Sequence, residues 1–275
     1  MEKGGRSIGR TASLCGAFVV LSATAACTER VELDPSDDEM RSPAAHSAPD
    51  PAAPSVGVSV PVVNDEAGLP VQTRDGWIRG QSISDGARTF GEFYRRTLSS
   101  QIAVYPRSFL EKVGLKCVVL CEGLSFEGTK CPAYADVERG RIYFDVRTSL
   151  DASYLKRAFH HELFHQIDFA EDGVLDSDSF WESLNTPGFR YTQNADRMQE
   201  GAAGRDDAAA PEGFLNWYAT SSPAEDKAEV YAALVVDRGE ARRRIERDPI
   251  LSRKADRVRQ TFDRLGAGWK GPIVP

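Results

Sequence analysis

Phe159-His160-His161-Glu162-Leu163-Phe164-His165-Gln166-Ile167-Asp168 contains the pattern His-Glu-x-x-His as His161, Glu162 and His165. On a helix, residues four apart lie one above the other, so both imidazoles point into the same space. Two nitrogen ligands then sit about one turn apart, with the Glu162 carboxylate beside them to handle a proton. The chain has only four histidines, and three of them fall in this run. The plainer alternative is an amphipathic helix with a satisfied histidine or two. The spacing points instead to a zinc hydrolase with one Zn2+.

Around this run, 275 residues leave room for one large domain or two small ones. Residues 1–27 carry a basic start (Lys3, Arg6, Arg10) and then an apolar run over 14–26, too short for a membrane span and patterned like a signal peptide. The run ends in Thr24-Ala25-Ala26-Cys27, which resembles a bacterial lipobox. That resemblance implies acyl chains on Cys27, export, and a protein anchored to the bacterial envelope rather than spanning it. Thr28 rather than Asp after the lipidated cysteine implies, on the same resemblance, an outer-membrane location where the cell has one. No later segment is long and apolar enough to cross a bilayer.

Residues 28–70 are rich in Pro, Ala, Ser, Asp and Glu and nearly free of aromatics, the composition of a disordered tether. The tether's nine acidic and two basic residues account for the formal charge of −7 on the whole chain, so the remainder is close to neutral. A nearly neutral domain gives no electrostatic case for nucleic acid. His46, the fourth histidine, lies in this tether, away from the run that carries the pattern.

The rest, 71–275, reads as one domain. Apolar residues at helical spacing predict a helix over 84–102, capped by Ser84 or Asp85. Residues 115–120 and 141–146 are short apolar runs read as strands, and the turn-like Val137-Glu138-Arg139-Gly140 makes 133–146 a candidate hairpin. The His-Glu-x-x-His helix is expected over 151–169, with Ser149 or Asp151 as cap. A short helix over 176–184, a mobile loop over 199–213, and helices over 222–237, 240–247 and 250–265 complete the outline. Cys117, Cys121 and Cys131 remain. In an oxidising compartment one disulfide is expected, with Cys131 paired to Cys121 in preference to Cys117.

Two histidines leave a catalytic zinc site one protein ligand short, and no histidine follows His165. Glu171, six residues on, stands where a metzincin ligand would, but Asp168 occupies the position where that pattern needs glycine to turn the chain. The other candidate is Glu225 in Ser222-Pro223-Ala224-Glu225-Asp226-Lys227-Ala228-Glu229, with Pro223 suited to a first helical turn. Glu229, four residues further, faces the same way and suits a carboxylate that accepts the spare N–H of a ligand histidine.

With these residues the chain resembles the gluzincin metallopeptidases, and more closely the anthrax-lethal-factor-like peptidases. Tyr218 lies seven residues before Glu225, and Ala228-Glu229 follows, as in that group. His160 to His165, Leu184-Asn185, Gly188-Phe189, Tyr191 and 225–229 are also similar to a group of zinc-binding metallopeptidase lipoproteins. The likeness covers about 117–235; the long interval between His165 and Glu225 departs from compact gluzincins. It implies an α+β, zincin-like fold: a small mixed sheet, an active-site helix and a mostly helical C-terminal half. It also implies zinc held by His161, His165 and Glu225, Glu162 as proton carrier, and a peptide or protein substrate. Tyr218 is implied as the oxyanion donor, against its plainer role as a core tyrosine beside Phe214 and Trp217. In such folds the strand before the active-site helix binds substrate, which assigns that edge to 141–146. A non-catalytic metal- or partner-binding surface lipoprotein is the alternative, and Glu162 discriminates: a pure binder has no use for a carboxylate between its two histidines.

Overall fold

A computed structural model describes residues 60–64, 68–149, 151–175, 177–192, 210–266, 269 and 271–273. The signal-like segment, Cys27, His46 and most of the stretches read as tether and mobile loop lie outside these. Strand β4 (Cys117–Phe126) organises the sheet. Its first half, Cys-Val-Val-Leu-Cys, is apolar at every position, as a strand buried on both faces must be. That half pairs in parallel with β1 (Val62–Asn64) and β7 (Arg141–Asp145). Gly123, at φ +66°, lies where the strand changes partners, in a backbone region that favours glycine. From Glu122 onward the second half pairs antiparallel with β3 (Trp77–Gln81) and β5 (Thr129–Lys130), and β2 (Val71–Gln72) pairs with β3. The hairpin expected over 133–146 is present as β6 (Ala133–Asp136) antiparallel to β7.

Three expectations change here. The stretch read as tether contributes β1 to the sheet, because Val62 is buried on the core while its backbone pairs with Val118. Strand β7 is bonded on both sides, to β4 and β6, so 141–146 offers no free edge; among the described residues β6 is the edge strand on that side of the sheet. The expected disulfide is not formed. Cys117, Cys121 and Cys131 are thiols; Cys121 and Cys131 pack as apolar groups with Ile78, Leu124, Phe126 and Tyr134. Cys121 turns its Sγ to the Phe144 carbonyl, 3.6 Å away.

Val118, Leu120, Ile142 and Phe144 face the opposite side of the sheet, against the helices. Helix α1 (Arg88–Ile102) enters through a 3-10 turn, and Ser84 does not cap it but bonds the Glu122 carboxylate with both N–H and hydroxyl. A short α2 (Arg107–Lys112) follows. Helix α3 (Ala152–Asp172) starts where the Asp151 carboxylate accepts the N–H groups of Ser153 and Tyr154. It ends at Gly173, whose φ of +78° closes the helix in the left-handed conformation. With α4 (Ser179–Ser183), α5 (Pro223–Val236), α6 (Arg238–Arg247) and α7 (Pro249–Leu265), all described regular structure after β7 is helical. The fold is α+β with a small mixed sheet, and no described helix is long and apolar enough to cross a membrane.

Helix α5 is central. Ser222 caps it by accepting the Glu225 N–H, and Pro223 occupies its first turn. Every residue from Pro223 to Leu234 is buried, including four charged ones. Each of these has its own partner on a neighbouring element, the condition for burying charge at tolerable cost. Lys227 pairs with Asp168 and Asp178, and Asp226 with Lys254. Glu225 and Glu229 turn toward α3.

Candidate metal centre

His161 and His165 project from α3 toward Glu225 on α5. His161 Nε2 lies 2.9 Å from Glu225 Oε2, and the two histidine Nε2 atoms are 3.2 Å apart. The third side of the triangle, His165 Nε2 to Glu225 Oε2, is 3.7 Å. Ligand atoms bonded tetrahedrally to zinc at about 2.0–2.1 Å stand about 3.3–3.4 Å from one another, and the three separations bracket that value. Two imidazole nitrogens this close in a dry site repel unless a proton or a cation lies between them. Two neutral imidazoles and one carboxylate form a donor set that zinc takes readily. The side chains fit the ion.

Glu162 stands beside the triangle on the same helix. Its carboxylate accepts the backbone N–H of Ala135 on β6, while Oε1 is buried without a protein partner. Burial raises its pKa above the ordinary glutamate value, with His161 and His165 acting in the opposite direction. The Tyr218 hydroxyl bonds the Glu225 carboxylate, and burial together with Glu225 and Glu162 holds its pKa well above the usual tyrosine value. Burial opposes charge on Glu225 as well, but the two histidines outweigh it and hold its carboxyl well below the usual range. On the far side of the His161 ring, Nδ1 lies 3.0 Å from Oε1 of Glu229. Burial disfavours the charged ring, yet Glu225 and Glu229 raise its pKa to about 10.

Glu171 lies elsewhere: Arg257, Arg264 and Thr261 of α7 hold it. Helix α3 continues through Asp168 and carries Glu171 away from the histidines, so the metzincin arrangement does not form. Tyr191, one of the residues that carry the resemblance, serves Asp226, next to Glu225; its hydroxyl and the Trp181 indole N–H both donate to the Asp226 carboxylate.

His160 points away from the triangle. Its Nε2 lies 3.1 Å from Gln101 Oε1, its Nδ1 2.6 Å from the Tyr105 hydroxyl, and Tyr105 in turn 2.6 Å from the Tyr231 hydroxyl. An amide oxygen only accepts, so Nε2 carries the proton, Nδ1 accepts from Tyr105, and Tyr105 accepts from Tyr231. Burial pushes the His160 pKa down to about 3 from 6.5. The unfolded chain therefore takes up a proton that the folded protein refuses, so the stability due to neutral His160 is lost as pH falls below 6.5. Between pH 6.5 and 4.5 the metal-free protein should lose about 2 kcal/mol through this group. Urea unfolding of the parent and His160→Gln across that window checks it; equal losses in both would assign the titration elsewhere.

No protein-family model matches the chain, and neither does any curated protein. Among solved structures, the chain is similar to a "putative zinc-binding metallo-peptidase" from Bacteroides caccae, with 15% identity and a TM-score of 0.47 over 78% of this chain and 82% of that one. A likeness at this level decides neither fold nor activity.

Proposed function

We propose that the protein is a zinc-dependent peptidase, and that the Cys27 lipid signal anchors it to the bacterial envelope. The convergence of His161, His165 and Glu225 on one point, with Glu162 beside them, carries the reading. His161, His165 and Glu225 would hold the ion, as in the gluzincin arrangement the sequence resembles. Zinc would supply positive charge that polarises a substrate carbonyl and lowers the pKa of a coordinated water toward neutrality. Glu162 would accept a proton from the attacking water and deliver it to the leaving amine, a task its raised pKa suits. Tyr218 donates its one O–H to Glu225 and, in the role the resemblance implies, would turn it to a developing oxyanion. Substrate would add in extended form along β6, the strand whose Ala135 N–H also meets Glu162.

One observation favours the non-catalytic alternative. His161 is 0%, His165 and Glu225 1% and Glu162 2% exposed, the enclosure of a closed metal site rather than one open to substrate. Mass spectrometry of a peptide library incubated with zinc-loaded protein separates the two. Cleavage that stops with a chelator and returns with zinc is the expected result. Stoichiometric zinc without cleavage would leave a metal-binding surface protein. Membrane fractionation of the full chain and Cys27→Ala checks the anchor, which fails if both variants stay with the membrane.

A further inference from the structure

Glu229 is buried on every side, and its orientation is set by two residues that the zinc motif does not include. Arg157, one turn before His161 on α3, directs one amino group to Glu229 Oε2 and the other to Asp237 at the end of α5. The Asn216 amide donates to the same Oε2 over 2.6 Å. With Oε2 engaged by two donors, Oε1 is the oxygen presented to His161 Nδ1. Asn216 does more than this. Its Oδ1 accepts the Ala219 N–H at 2.8 Å, inside the 3-10 turn Tyr218–Thr220. One side chain thus ties the carboxylate behind His161 to the turn that carries Tyr218.

We infer that Arg157 and Asn216 are positioning residues of the metal centre, holding Glu229 so that His161 keeps its proton on Nδ1 and presents Nε2 to the ion. A histidine ligand whose second nitrogen is fixed by an oriented carboxylate has one tautomer and one ring plane, and loss of such support weakens metal binding about 10–100-fold. Arg157 suits the task because its planar fork reaches two carboxylates at once and stays charged when buried. The link also has a direction. Arg157 joins α3 to the far end of α5, and Asn216 joins α5 to the Tyr218 turn, so the elements carrying His161, Glu225 and Tyr218 are held in register from behind the site.

The inference rests on reading His161 as a ligand, and the experiment separates the two. Zinc affinity is measured by competition with a chromophoric chelator, and the exchange protection of the His161 Nδ1–H by NMR in metal-free protein. The parent should bind one zinc and show a protected Nδ1–H. Arg157→Met should lose that protection and bind zinc about 10–100-fold more weakly. Arg157→Lys, which keeps one charged donor to Glu229, should restore most of both. Asn216→Asp retains the acceptor for Ala219 but faces Glu229 with a second carboxylate. It should weaken zinc at least about tenfold and carries the test if Arg157→Met does not fold. Parent-like zinc affinity and a protected Nδ1–H in a folded Arg157→Met, or in Asn216→Asp, would overturn the inference. A parent that binds no zinc would overturn the ligand reading, while the Nδ1–H result still judges the positioning role.

Discussion

Glu225→Gln should abolish stoichiometric zinc binding, whereas Glu171→Gln should bind zinc as the parent does. Glu225 Oε2 is the atom that both histidine Nε2 atoms approach, at 2.9 and 3.7 Å. Glutamine has the same shape but replaces an anionic oxygen by a neutral amide, a poor donor to a dication and no counterweight to its charge. The loss should exceed the roughly 10–100-fold that removal of an outer hydrogen-bond partner costs. Glu171 is the matched control, since its carboxylate is spent on Arg257, Arg264 and Thr261. Elemental analysis of the purified variants, followed by chelator competition, reads the result. Zinc lost with Glu171→Gln and kept with Glu225→Gln would require α3 to break near Asp168. Absence of zinc from the parent, even after reconstitution, would remove the metal centre altogether.

The parts of this site legible in the sequence were those governed by local geometry. His161 and His165 share a face because any helix puts residues four apart together, and Asp151 caps its helix and Pro223 opens another by rules of the same kind. The β6–β7 hairpin was likewise marked by the turn at 137–140. What required the folded chain was partnership between distant segments. The run Glu225-Asp226-Lys227-Ala228-Glu229 has the composition of a solvated helix start, and nothing local shows that all of it is buried. Its burial depends on Asp168, Asp178, Lys254, Arg157 and the two histidines, residues far away in sequence. Strand β7 looked like an edge because its order in the chain does not reveal that β6 folds back outside it. Strands β2 and β5 are two residues long and have no period to detect. Arg157 could have been noticed, since it stands four residues before His161 on the same face. The signal was too common to single out: an arginine on a helix is usually solvated.

Glu162→Gln should leave zinc binding within a few-fold of the parent while lowering turnover by about 10²–10⁴-fold, the usual contribution of a positioned proton carrier. Glu162 is not one of the three converging ligands, and a glutamine oxygen can still accept the Ala135 N–H. The change therefore removes proton transfer without removing the ion. Zinc stoichiometry, KM and kcat should separate: the first two nearly constant, the last collapsed. This pattern distinguishes catalysis from every neighbouring possibility. A structural role for Glu162 would lower thermal stability or zinc content along with turnover. A contaminating peptidase would leave turnover unchanged in Glu162→Gln. A non-catalytic metal protein would show no turnover in the parent. Because burial opposes the charged carboxylate at this position, a buried neutral amide should fold at least as well as the native side chain. A loss of activity in Glu162→Gln therefore reports on the proton that Glu162 carries rather than on its packing.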